Sequence, residues 1–378
     1  MNPHPKILLA LNSYKECCNA VDSCRLYADE FAGLGIETVQ APVTDGGDGF
    51  LDVCSRYSEL EIREYFVTAP YSMEKRLCKI GYDRHNKIIY IETAEVIGLK
   101  LIPLSERNPL YASTRPLGEL LEALNGDIAA GKLNADEIIV GIGGTGTSDL
   151  GLGMMAELGL RLYDINGKIL DAVPANYLNV NKIEYSPKPF KCNIKVVVDV
   201  ENPLLGTKGS NYMFAAQKGA GKEEIETLEK GFIHILGKLS TINNINVDNL
   251  NGAGGGLAAA FSIFFNAEEI TANSFISDKL SRYVKVEKFE YILTGEGSFD
   301  KQSLLNKGAY LIIKIFGSAA KIFLCCGKIE PEAVSHLPGN VVPVELGKYF
   351  KNRQESIKNF NLSVKFACKE ISEIIKLQ

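Results

Sequence analysis

Short apolar runs closed by glycine or small polar turns alternate along this chain with longer stretches whose apolar residues recur every three or four positions. "KILLAL" at Lys6 reads as a strand ending at Asn12, and the next segment sets Val21, Cys24, Ala28 and Phe31 at helical spacing. "IETVQAPV" is a second strand running into "TDGGDG" at Thr44. Strands this continuously apolar predict a βαβ opening and a parallel sheet covered on both faces.

The middle of the chain has a different rhythm. "REYFVTAP" and "KIIYIETA" have strand character, with charged and turn residues between them. "PLGELLEALNGDIAAGKL" predicts a helix with Pro116 in its first turn, where proline is tolerated. "DEIIVGIGG" and "NIKVVVDV" are strands, and "KEEIETLEKGFIHILGKL" aligns Ile225, Leu228, Phe232, Ile235 and Leu239 on one helical face. "LAAAFSIFF" from Leu257 is about half of the roughly 18–20 residues a membrane span needs, and reads as a buried helix. From Phe289 the first rhythm returns. "YILTGEG", "KIFLCCG" and "VVPVEL" are strands, "AYLIIKIF" is helical, and "ESIKNFNLSVKFACKEISEIIKL" closes the chain as one helix.

Strands near residues 7, 37, 290, 321 and 341 can form one five-stranded doubly wound sheet interrupted by an insertion. The expected architecture is therefore a discontinuous open α/β domain over 1–65 and 281–378, with an α/β domain inserted over 66–280. A chain of 378 residues supports this division, because one core typically serves ~100–200 residues. Forty-one basic and 46 acidic side chains leave a net charge of −5 with no basic block, which argues against nucleic acid as a partner. The opening run "ILLAL" is too short for a signal-peptide core, so a cytoplasmic protein without a membrane partner is expected. Nine cysteines without a CxxC read as reduced, mostly buried thiols. Four scattered histidines offer no His-centred triad or metal site.

Candidate chemistry concentrates in loops that follow apolar runs, where open α/β sheets bind ligands. These are "NSYK", "TDGGDG", "GIGGTGTSD", "DVENP" and "TGEGSFD", and together they predict a polyanion site spread over two domains. In "VGIGGTGTSDLGLG", Gly141, Gly143, Gly144 and Gly146 allow close backbone approach and an amide nest for an anion. Thr145, Thr147 and Ser148 add hydroxyls, and a helix starting near Leu150 would aim its positive end at the same point. The stretch also fits G-x-G-x-x-G with Asp164 at the distance of a ribose-binding acid, so a dinucleotide site is the rival, and a structural turn the third reading. Asp164 lies in the turn-like "RLYDINGK", which counts against the dinucleotide. "GAGKEE" at Gly219 lacks the rest of a P-loop. Asp45 and Asp48, held between glycines, suit magnesium or a substrate hydroxyl, and Asp149, Asp199, Glu296 and Asp300 are further candidate acids. Lys15 follows a strand-end turn, where it can neutralise a carboxylate or phosphate. Such an inventory supplies what phosphoryl transfer needs without a histidine.

Taken together, the motifs resemble the bacterial glycerate kinases. "NSYKE", "PVTDGGDG", "STRPLGELL", "GIGGTGTSD", "DVENPLLG", "AAQKGA", "GAGGGLAAA" and "TGEGSFDKQS" follow the family's segments in order over most of the chain. The resemblance implies ATP- and magnesium-dependent phosphorylation of glycerate or a close hydroxy acid to 2-phosphoglycerate, on a flavodoxin-like domain carrying an inserted α/β domain. Within that reading, charge and loop position suggest Gly143, Gly144, Thr145 and Thr147 on triphosphate oxygens, with Glu296 and Asp300 also at the nucleotide. Asp149 and Asp199 are then expected to organise magnesium, Lys15 and Arg115 to anchor the substrate carboxylate or phosphoryl group, and Asp199 and Asp45 to serve catalysis, Asp45 as proton acceptor. A homodimer is compatible with this reading. The chain departs from the family pattern at Asn12 for Asp, Pro116–Leu117 for Gly-Thr, Ser148 for Asn, Leu150 for Gly, Ala215–Ala216 for Gly-Pro, Ser298 for Arg and Asn306 for Gly. A hydroxy-acid sensor built on a decayed kinase and an NAD-dependent oxidoreductase are the alternatives.

Overall fold

The computed structural model describes residues 6–14, 17–199, 202–242, 246–286, 289–301, 303–304 and 308–377. In chain order the strands are β1 (Lys6–Leu11), β2 (Glu37–Gln40), β3 (Glu61–Ala69), β4 (Ser72–Asp83), β5 (Ile88–Glu92), β6 (Glu137–Ile142), β7 (Leu160–Tyr163), β8 (Ile169–Leu170), β9 (Lys182–Tyr185), β10 (Asn193–Val198), β11 (Glu268–Thr271), β12 (Tyr291–Phe299), β13 (Lys321–Ile329) and β14 (Val341–Glu345). The fold is mixed α/β with parallel sheets, in two compact units. One comprises Met1–Asp45, Asp52–Tyr57 and Ala272–Gln378, the other Gly46–Leu51 and Ser58–Thr271.

In the first unit a five-stranded sheet has the order β14-β13-β12-β1-β2, with every pair parallel. Ile7, Leu9, Leu11, Leu293, Phe323 and Cys325 pack with Cys24, Tyr27 and Phe31 of the Ala20–Gly33 helix and Val364, Ala367 and Ile371 of the Phe360–Lys376 helix. Leu8, Ala10 and Ile292 point the other way by strand alternation and are also fully buried, which is why these strands are apolar throughout. The Gly308–Phe316 helix packs on β12 and β1. The C-terminal segment forms two helices, where the periodicity predicts one. Arg353–Lys358 ends at Asn359, whose φ of −110° and ψ of 33° break the helical path before Phe360.

The second unit is built on a six-stranded sheet of order β11-β10-β6-β5-β4-β3. The first four are parallel, and β4 pairs antiparallel with both β5 and β3. The charged and turn residues expected between β3 and β5 therefore include a full strand, β4. Its first half, with Glu74 and Lys75, is exposed, and Cys78, Ile80 and Tyr82 bury their side chains on alternate positions of the second half. β3 joins β4 from Glu61 and β11 joins β10 up to Thr271, so both edge strands of this sheet lie within the Ser58–Thr271 segment of the second unit.

A small antiparallel sheet, β8-β7-β9, follows the Leu152–Glu157 helix. Asp164 sits in the turn between β7 and β8, where its carboxylate accepts from the Asn166 and Lys168 amides. This is a turn former's role, not a ribose-binding strand end. Leu228, Phe232, Ile235 and Leu239 of the Lys222–Leu239 helix are buried, as their spacing predicts, while Ile225 is half-buried. The Ala253–Phe265 helix is fully buried from Leu257 to Phe261, yet among the described residues no helix is long and apolar enough to cross a membrane. All nine cysteines are free, seven of them buried. Phe232 packs in the core beside the Tyr177 ring. Phe232→Ala should cost about 3–5 kcal/mol of stability, read as a lowered urea midpoint, because the cavity adds to the lost transfer energy.

Candidate active site

Four parallel strands of the second unit end side by side, and their carboxyl ends carry the unusual loops. The register pairs Val198 with Ile142 and Glu92 with Gly141, so Asp199, Gly143 and Thr93 leave the sheet as neighbours. The Thr93 hydroxyl donates to the Gly141 carbonyl at 2.8 Å and receives the Gly143 amide at 3.3 Å. A Cβ on Gly143 would lie 2.5 Å from the Gly47 Cα, so the two glycine loops, 46–49 and 141–146, touch through bare backbone.

Within the second loop only Gly144 is exposed. Its φ of +63° is left-handed, and among the described residues its amide makes no hydrogen bond. Thr145, Thr147, Ser148 and Asp149 are buried, and the Thr147 hydroxyl has no hydrogen-bond partner there. Asp149 is fully buried and accepts from the Thr114 amide at 2.7 Å, the Thr114 hydroxyl at 2.8 Å and the amides of Gly151 and Gly153. Burial raises its pKa against these donors, which pull it down. The Tyr177 hydroxyl donates to the Asp149 backbone carbonyl at 2.6 Å. The expected helix dipole is therefore unavailable to a ligand. The helix is six residues long, Leu152–Glu157, and Asp149 already occupies amides at its start.

Beneath the loop lies Lys218, with 3% of its surface exposed. Its ammonium donates to the Thr147 carbonyl at 2.5 Å and the Thr145 hydroxyl at 3.3 Å. Burial lowers its pKa to about 8, with Asp149 acting in the opposite direction. Gly254, Gly255 and Gly256, all left-handed, carry the backbone past this point before the Leu257 helical stretch. A Cβ on Gly255 would fall 2.2 Å from the Thr147 carbonyl oxygen and 3.0 Å from the Lys218 ammonium.

The first glycine loop is held by an acid. Glu92 is 3% exposed and accepts the Gly49 and Leu51 amides at 3.0 and 3.1 Å, capping the Phe50–Tyr57 helix. Burial raises its pKa to about 7, although those amides and Lys100 lower it. Lys100 bridges Asp48 at 2.9 Å and Glu95 at 2.7 Å, with Glu92 at 3.9 Å. Burial alone would lower the Lys100 pKa, but the bonds to Asp48 and Glu95 raise it. Asp48 stays exposed, its carboxylate 3.0 Å from where a Gly144 Cβ would stand.

The second unit thus gathers Gly143, Gly144, Thr145, Thr147, Asp149 and Asp199 around one loop. Arg115, in the same unit, is engaged elsewhere. Its guanidinium contacts Glu157 at 3.4 Å and the Met73 sulfur at 2.9 Å. Asp45, Glu296 and Asp300 belong to the first unit. All three are half-buried, and Asp300 accepts the Ser303 amide at 3.1 Å. Lys15 lies outside the described residues. Among the described residues no three His, Cys, Asp or Glu side chains converge on a cation position.

A family model described as the Glycerate kinase family matches residues 7–376. The chain belongs to the glycerate kinase family. Glycerate 2-kinase of Escherichia coli (strain K12) is 32% identical over 309 residues, covering 80% of this chain and 79% of that one. Glycerate kinase of Neisseria meningitidis serogroup B is 27% identical over 98% of this chain and 99% of its own. A crystal structure named as glycerate kinase 2 from Salmonella typhimurium LT2 superposes with a TM-score of 0.78 at 26% identity, covering 99% of this chain and 98% of that one. The protein is accordingly a kinase, a phosphotransferase acting on an alcohol group, and its family's reaction is the phosphorylation of glycerate.

Two residues of this family member escaped sequence reasoning. Lys218 was visible only as the lysine of "AAQKGA", and Glu92 as an unremarked acid at the end of "KIIYIE". Glu92 also makes a linkage prediction. Its folded pKa is raised above the ordinary 4.5, so the unfolded chain releases this proton first. The stabilising contribution is complete below pH 4.5 and is lost as pH rises through about 7. Chemical denaturation across that window should show wild type losing on the order of 3 kcal/mol relative to Glu92→Gln. Parallel curves for the two proteins would exclude the shift.

Proposed function

We propose that this chain transfers the terminal phosphoryl group of ATP to the 2-hydroxyl of D-glycerate, giving 2-phosphoglycerate. The observation that carries the reading is the Gly143–Thr147 loop at the carboxyl end of β6. It offers a left-handed, exposed Gly144 whose amide makes no hydrogen bond among the described residues, fitted to a phosphate oxygen, above a buried Thr147 hydroxyl with no partner among them. When bound, ATP with magnesium would supply the phosphoryl group and the divalent charge that neutralises it.

The residues of the chain hold and orient. Gly143, Gly144, Thr145 and Thr147 contact the phosphates. Asp199, level with Gly143 in the register, and the exposed Asp48 hold the cation, which needs few protein carboxylates because it keeps its own waters. Asp149, whose carboxylate is taken up by Thr114 and the Gly151 and Gly153 amides, shapes the loop and is reassigned from metal ligand to organiser. In the first unit we assign Asp45 to the hydroxyl proton and Glu296 and Asp300 to the nucleotide, from their charge and loop position. Lys15 keeps its assignment to the substrate carboxylate on the same ground, and Arg115 can share it once it leaves Glu157. The first unit's sheet order, numbered within that unit as 2-1-3-4-5, supports a flavodoxin-like reading. Free, buried thiols support a cytoplasmic setting.

Purified protein with magnesium, ATP and D-glycerate should release ADP and form 2-phosphoglycerate, resolved from the 3-isomer by phosphorus NMR. Asp199→Ala should lower kcat at least about a hundredfold while glycerate binding, followed by calorimetry, changes little. Retention of kcat would remove Asp199 from the mechanism, and failure to phosphorylate glycerate while both ligands bind would overturn the kinase reading for this chain.

A further inference from the structure

The phosphate loop owes its shape to a buried cation that none of the roles assigned above employs. We propose that Lys218 is a positioning residue of this loop, turning the Thr145 hydroxyl into a committed hydrogen-bond donor for a phosphoryl oxygen. The proposal rests on the reading of Gly143–Thr147 as the nucleotide phosphate site.

A threonine hydroxyl has one proton and two lone pairs. At Thr145 one lone pair receives the Lys218 ammonium at 3.3 Å, so the hydroxyl proton turns away from the lysine and must find another acceptor. The second ammonium bond, to the Thr147 carbonyl at 2.5 Å, fixes the peptide two residues on. Together they clamp the loop on both sides of Gly146, whose own amide is tied to the Ile97 carbonyl at 2.8 Å. Just upstream Gly143 is half-buried and Gly144 exposed.

The surroundings are built for the ammonium. Lys218 ends a short turn, Ala216–Lys218, closed by Gly219 at φ +99°. The left-handed Gly255 leaves the gap that the ammonium and the Thr147 carbonyl occupy. A neutral side chain could satisfy one carbonyl at far lower desolvation cost, since buried charge is expensive unless it is paired and hydrogen-bonded. Asp149 is the charged neighbour felt by Lys218, and its carboxylate is committed to Thr114, Gly151 and Gly153. The ammonium is thus held behind the loop by the Thr147 carbonyl and the Thr145 hydroxyl, with the Asp149 charge as its counterpart.

The test is calorimetric titration of the full chain with MgATP and, separately, with inorganic tripolyphosphate, without glycerate. Lys218→Met preserves length and removes charge. It should weaken both ligands at least about tenfold and raise the nucleotide KM more than it lowers kcat, with the melting temperature held within a few degrees. Thr145→Val should weaken them similarly, and the double variant should be no worse than either single one, because both act through one hydroxyl. Wild-type affinity in Lys218→Met, or additive losses in the double variant, would overturn the proposal. If Lys218→Met melts far below wild type, Lys218→Arg decides. Restored melting with restored phosphate affinity supports the role, and restored melting alone reduces Lys218 to scaffolding. If Thr145→Val and Gly144→Ala both bind MgATP normally, the loop reading itself fails and this proposal falls with it. Weakening by those two with normal binding by Lys218→Met removes only the lysine.

Discussion

The buried carboxylate of Asp149 is the interaction on which the site's geometry depends. It collects two donors from Thr114 and two amides from the start of the Leu152–Glu157 helix. Each such bond to a charged acceptor is worth about 1.5–3 kcal/mol, and an ion left without them in this interior would not stay charged. One side chain thus ties the end of the glycine loop to the first turn of the Arg115–Ala129 helix and to the turn that follows. Tyr177 fixes the Asp149 backbone from the core side, through a ring that packs near Phe232. The loop is held by its own surroundings before any ligand arrives, which is the condition for electrostatic preorganisation.

Much of the parallel framework was legible because its strands are apolar on both faces, and short runs of that kind between turn residues belong to sheets covered from both sides. The helix carrying Phe232 was legible for the complementary reason, a clean stripe at helical spacing. What escaped was structure without periodicity. Half of β4 projects charged residues into solvent, so its sequence carries little alternation until Cys78. Asn359 breaks the C-terminal helix although the apolar stripe continues across it. In the site, the glycines and hydroxyls marked the loop, but their composition could not say that Thr145, Thr147 and Ser148 are buried. Nor could it show that Arg115 pairs with Glu157. Glu92 and Lys218 lie 43 and 73 residues from the loop residues they hold, Gly49 and Thr145, and such pairings are written only in the topology.

The charges of the second unit are arranged in two layers. Asp149 and Lys218 are buried behind the Gly143–Thr147 loop, and Glu92 is buried behind the Gly46–Gly49 loop. In front, Asp48 and Lys100 remain accessible. The buried layer is costly to charge, as the displaced pKa values of Glu92 and Lys218 record, and it is the layer that fixes backbone. The exposed layer is inexpensive to charge and free to exchange partners. A phosphotransferase needs both, since positioning comes from groups that do not move and charge neutralisation from groups that can meet a ligand.

Leu150 shows how such a loop tolerates departure from its family's pattern. It stands where the resemblance places glycine, and its φ of +52° is left-handed, a conformation that costs a side-chain-bearing residue about 1–2 kcal/mol. The side chain is fully buried, against the Gly256 backbone, and burial of a leucine contributes about 1.5–3 kcal/mol. Its amide also donates to the Gly255 carbonyl at 3.2 Å. The packing gain is of the same size as the strain, so the substitution keeps the turn that glycine would make and adds a hydrophobic anchor beneath it. Gly256, at φ +89°, is in turn committed to glycine, because a Cβ there would lie 2.9 Å from the Leu150 Cα. A Cα stands at position 150 whatever the residue there, so Gly256 stays glycine with either leucine or glycine opposite, and the departure at 150 asks for no second change.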